Sequence, residues 1–72
     1  MDAVTAQRLA RADRQIVEGI GLVIKQREVI LDLERAGMDA SSSHESLSAF
    51  VRTLREFVDY RDKLLQDWDP AP

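Results

Sequence analysis

Between Gln15 and Leu33 apolar residues recur at three- and four-residue steps, placing Ile16, Ile20, Val23, Ile30 and Leu33 on one side of a helix. A second line, Val17, Ile24 and Leu31, runs beside the first at seven-residue spacing. Together the two lines make an apolar face wider than one partner helix covers, so the pattern predicts a long helix that walls a larger assembly. Good helix formers with no interrupting proline extend it over about residues 5 to 36, a length on the order of 45 Å at 1.5 Å per residue. Asp2 and Thr5 are both candidates to cap its start, since either side chain can accept from the exposed amides of a first turn.

Gly37 marks the stop. It suits the left-handed position that follows a helix, and Arg35 stands in the last turn, where a cation meets the negative end of the dipole. Met38 is expected to fold back on Leu33, as in a glycine-terminated cap. After a turn over about residues 37 to 42, the serines at 41 to 43 supply caps for a second helix. Ser42 with Glu45 matches a capping box, and Asp39 competes with it. The second helix, about 43 to 67, carries Leu47, Phe50, Val51, Leu54, Phe57, Val58, Leu64, Leu65 and Trp68 at heptad-like spacing, crossed only by Arg61. Pro70 and Pro72 fall in a short tail, 68–72, and prevent continuation.

So short a connection predicts an all-α fold, an antiparallel two-helix hairpin occupying residues 1–72 as one domain. With the turn centred near residue 40, Leu47 meets Leu33, Phe50 meets Ile30, Phe57 meets Val23 and Leu64 meets Ile16. Arg61 then lands opposite Gly19, where a missing side chain leaves room, with Glu18 as counter-ion. Gly21 points away from the inner face. One hairpin cannot bury both apolar lines of the first helix. The economical solution is a twofold homodimer forming a four-helix bundle, with Val17, Ile20, Ile24 and Leu31 of the first helix and Val51 and Val58 of the second at the interface. The rival is a hairpin that docks on a different protein.

Composition sharpens this picture. At 72 residues a single core is marginal, and the absence of cysteine removes disulfides and thiolate metal sites. One histidine is too few for a structural zinc site, so oligomerisation is the expected source of stability. Hydrophobic residues at 44% separate the chain from disordered tails, and a net charge of −3 with pI near 5.0 argues against broad binding to nucleic acid or anionic membranes. No apolar run approaches the ~20 residues of a membrane span, and the first residues lack a secretory pattern, so a cytoplasmic location is expected.

Four stretches invite chemistry. Ser41-Ser42-Ser43-His44-Glu45 holds the residue types of a nucleophilic triad, but neighbours at a helix start do not adopt that geometry, and capping is the expected role. Glu18, Glu28 and Glu34 fall on different sides of the first helix and lack the Glu-x-x-His pair of carboxylate metal bundles, so neither a metal nor a cofactor is expected. Arg8, Arg11 and Arg14 form the only basic run; pairing with Asp67 and Asp69 across the hairpin is the first expectation, and contact with phosphate the second. Leu9, Val4 and Trp68 suggest an apolar patch at the open end, either an end-plug or a partner-docking spot.

The run Glu18-Gly19, Gln26-Arg27-Glu28, Ile30, Leu33-Glu34 and Gly37, followed by Asp39, Phe50, Leu54, Arg61-Asp62 and Leu64-Leu65, resembles a group of short uncharacterised proteins predicted from proteobacterial genomes. The resemblance spans about residues 14 to 65 and implies a helical hairpin of bacterial origin, with no activity attached. Where that group often has histidines in the second helix, this chain has Phe57 and Tyr60, so a metal-binding role does not carry over. The expected function is that of a small non-catalytic protein–protein interaction or regulatory module that self-associates through its wide apolar face. The alternative is a nucleic-acid-binding regulator built as a hairpin dimer.

Overall fold

The computed structural model describes residues 2–67, and among these the chain forms two helices, α1 (Ala3–Arg35) and α2 (Ser41–Asp67), packed side by side in a rod of 61 × 14 × 14 Å. The expected tail at 68–72 and Trp68 lie outside the described residues.

Each helix end has a local cause. Asp2 caps α1, its carboxylate accepting from the Thr5 amide at 2.6 Å, so Asp2 and not Thr5 supplies the cap. At the other end Gly37 adopts a φ of 70°, the Met38 amide donates to the Leu33 carbonyl at 2.9 Å, and the Gly37 amide donates to Glu34 at 3.0 Å. This pair of bonds is a Schellman closure, which satisfies carbonyls that the helix would otherwise leave exposed. The fold-back onto Leu33 is made by the Met38 backbone, while the Met38 side chain is exposed.

α2 starts at Ser41, earlier than its serines suggested. The Ala40 carbonyl takes the first helical bond from His44 at 2.9 Å, and Asp39 accepts from both the Ser41 amide (2.9 Å) and the Ser41 hydroxyl (2.6 Å). Ser42 and Glu45 are therefore both inside the helix and form no capping box. Asp39 prevails because its carboxylate reaches two donors of one residue.

The inner seam follows a strict four-three alternation. Along α1 the seam runs through Thr5, Leu9, Ala12, Ile16, Gly19, Val23, Gln26, Ile30 and Leu33; it resumes at Ala40, just before α2, and continues through Ser43, Leu47, Phe50, Leu54, Phe57, Arg61 and Leu64, with Gln15 and Val51 half-buried beside it. This is the seven-residue repeat of an antiparallel coiled coil. Three observations set its register. A Cβ built on Gly19 would stand 3.0 Å from Leu54 Cδ1, Arg61 Nε donates to Asp13 Oδ1 at 2.5 Å, and Gln26 Nε2 donates to the Ser43 carbonyl at 3.1 Å. Val23 is thus level with Phe50, Ile16 with Phe57 and Leu9 with Leu64.

The register expected from a turn centred near residue 40 is corrected by one heptad. Leu47 stands level with Gln26 and not Leu33, and Arg61 meets Asp13 near Ala12 and not Glu18 near Gly19. The cause is the tight turn. Because Ala40 is already buried as the first layer of α2, the reversal centres near residue 37. A slip of seven residues leaves the inward face unchanged, which is why the sequence pattern alone did not reveal it.

Candidate interaction surface

The seam hides little. Among the described residues only Ala12, Val23, Ile30 and Ala40 are buried apolar residues, and none of the residues of α2 is buried. Two of the four are alanines, which contribute little apolar area. The described hairpin therefore lacks the core that its hydrophobic content could supply.

The missing apolar area stands on one flank. From each helix, positions at seven-residue intervals line the same side of the seam: Asp13, Ile20, Arg27 and Glu34 from α1, and His44, Val51, Val58 and Leu65 from α2. Glu34 Oε1 and His44 Nε2, 3.4 Å apart, join the two rows at the turn end. One step further round α1 come Val17 at 68% exposure, Ile24 at 53% and Leu31 at 50%. Val17, Ile20, Ile24, Leu31, Val51 and Val58, the residues singled out in the sequence, thus fall on one flank. Leu65 extends their row. Ile20 belongs to this outer stripe, being exposed, and not to the inner line in which its spacing from Ile16 also placed it.

The opposite flank is more mixed. Leu22, Val29 and Tyr60 are exposed there. An open groove of about 380 Å³ lies over Gly19, walled by Leu22, Phe50, Leu54 and Phe57 with Gln15, Glu18 and Thr53 at its rim. Toward the start of α1 a second open groove of about 530 Å³ is lined by Val4, Gln7, Arg8, Ala10, Arg11, Arg14 and Tyr60. Among the described residues Arg61 forms an ion pair with Asp13 and His44 lies beside Glu34, and the expected pairing of Arg11 and Arg14 with Asp67 is not made; Asp69 lies outside the described residues. The corrected register explains it, carrying Asp67 past Arg11 toward the start of α1.

Leu9 is half-buried in the inner seam, and Val4 lines the basic groove; Trp68, the third member, lies outside the described residues.

Electrostatics is concentrated at the caps. The Thr5 backbone amide holds the Asp2 carboxyl below its ordinary value, and the Ser41 hydroxyl, followed by the Ser41 amide, does the same for Asp39. In the serine-rich run the Ser41 hydroxyl is engaged by Asp39 while His44 faces Glu34, so nucleophile and base are turned to different partners. Among the described residues no cluster of histidine, aspartate and glutamate suited to a metal ion occurs, and no helix is long and apolar enough to cross a membrane.

Comparison with protein-family models, curated proteins and solved structures returns no match.

Proposed function

We propose that this protein is a small non-catalytic interaction module that self-associates, two hairpins joining through the flank of Val17, Ile20, Ile24, Leu31, Val51 and Val58 to make a four-helix bundle. The observation that carries the reading is that flank itself. Its exposed branched residues exceed the buried core in both number and size, in a chain with no disulfide to compensate. A second copy supplies an equal and complementary apolar surface without a further component. The test is solution mass by light scattering over a concentration series, with thermal melting followed by circular dichroism. Two chains and a melting point that rises with concentration support the reading; one chain at every concentration removes it.

A second reading follows from the basic groove. Arg8, Arg11 and Arg14 line it together with Tyr60, a combination able to hold an anionic partner such as RNA or DNA. The net charge of −3 opposes it. Retention of an oligonucleotide at low ionic strength that fades steeply with salt would favour this reading over a purely protein-binding role.

A further inference from the structure

We propose that the partner seated on the exposed flank is a second copy running antiparallel, α1 against α1, about a twofold axis that passes between Ile20 and Ile24 beside Gly21. The inference rests on the self-association reading and adds its geometry. α1 is placed at the centre because its apolar row, Val17, Ile24 and Leu31, lies one step further from the hairpin seam, beside Ile20 in the row of Asp13, Arg27 and Glu34. α2 offers one, Val51, Val58 and Leu65; the next row outward is Ser48, Arg55 and Asp62, which is polar. Val17, Ile20 and Ile24 follow the three- and four-residue steps of a coiled-coil seam, and Leu31 continues it seven residues on, with Arg27 at the intervening position.

Direction follows from charge. In an antiparallel seam that places Ile20 against the partner's Ile24, the row just outside it carries Arg14, Gly21 and Glu28. Arg14 then faces the partner's Glu28, and Glu28 the partner's Arg14, two opposite-charge pairs related by the twofold. Gly21 faces Gly21 at the axis, presenting no side chain where the backbones come closest. Nothing within the hairpin lies within 4 Å of a Cβ built there, so the chain's own packing does not account for this glycine. In a parallel dimer each of these charges would meet its own like.

Two measurements on the intact chain test this. Because the protein has no cysteine, Lys25→Cys and Arg35→Cys each give a single spin-label site on an exposed position outside the seam. The axis near residue 22 offsets the two labels along α1 by about 10 Å at position 25 and about 40 Å at position 35. Pulsed dipolar distances should therefore be far longer at 35 than at 25. Equal distances in a protein of two-chain mass overturn the antiparallel geometry alone, whereas a one-chain mass for the unlabelled protein overturns self-association itself. Separately, Arg14→Glu or Glu28→Arg should each weaken the dimer about tenfold, and the two together should restore it to within about threefold. No weakening by either single reversal overturns the Arg14–Glu28 pairing.

Discussion

Replacing Ile24 by glutamate separates the two roles that a surface isoleucine can have. In the isolated hairpin Ile24 is 53% exposed and belongs to no buried layer, so the substitution should change the stability of the hairpin by about 0.5 kcal/mol or less. In the proposed dimer the exposed half is covered. Full burial of such a side chain contributes about 1.5–3 kcal/mol, so covering the remaining half contributes about 1 kcal/mol per chain and about 2 kcal/mol per dimer. A glutamate there also leaves a carboxylate in an apolar seam, at a further cost of about 1–3 kcal/mol. The sum, about 3–5 kcal/mol, raises Kd by at least about a hundredfold. Light scattering should report one chain at concentrations where the unaltered protein gives two, and the melting point should fall and lose its concentration dependence. Lys25→Gln, on the neighbouring polar face, is the control that should keep both properties. A two-chain mass for Ile24→Glu, with an unchanged melt, would refute the assignment of this flank as the interface.

Three further outcomes follow from the fold. Gly37→Ala places a side chain at a φ of 70° and should lower stability by about 1 kcal/mol in urea titration, although the site has open space around it. Gly19→Leu must displace Leu54, whose Cδ1 already lies 3.0 Å from a built Cβ; a loss of about 1–3 kcal/mol is expected, recovered in part by adding Leu54→Ala. Asp39 is held below its ordinary value of 3.8 by Ser41, so its contribution is present above that pH and is lost as pH falls through the lower folded value. Melting temperature should therefore drop in acid below about pH 4, and Asp39→Asn should lower it at neutral pH while flattening that acid limb.

The helices and the wide face of α1 were legible because apolar residues at three- and four-residue steps admit one reading over thirty residues. Gly37 was legible for a different reason: only a left-handed residue completes the closure made with Leu33 and Glu34. Register was not. A heptad seam matches itself after every seven residues, and only the turn decides among the matches, so a turn centre placed about three residues late moves Arg61 from Asp13 to Gly19. Ala12 and Ala40, two of the most buried residues, escaped notice because alanine carries a weak hydropathy signal; the alternation Leu9, Ala12, Ile16 would have found the first. Gln26 went unread for a similar reason, its amide being satisfied by the Ser43 carbonyl inside the seam. Leu65 falls in the same heptad-like series as Leu64 in the sequence, but its seven-residue spacing from Val58 assigns it to the flank.

The two flanks divide the surface in a way that constrains how a self-associating hairpin could still engage another molecule. In the proposed dimer the flank of Val17, Ile24 and Leu31 is consumed and Arg14 is engaged at its edge, whereas the groove over Gly19 lies on the other side and Arg8 and Arg11 remain near the open end. Gly19 is the residue that opens the first of these. A larger side chain at 19 would fill the space above Leu54, so the same glycine that weakens α1 by about 1 kcal/mol relative to alanine also gives the hairpin an apolar recess between Phe50 and Phe57. In the proposed dimer, burial of the outer stripe would offset that weakness, adding stability to α1 at Ile20 and Ile24, immediately beside the weak position. A dimer built this way keeps a recess that a hairpin standing alone would have reason to fill.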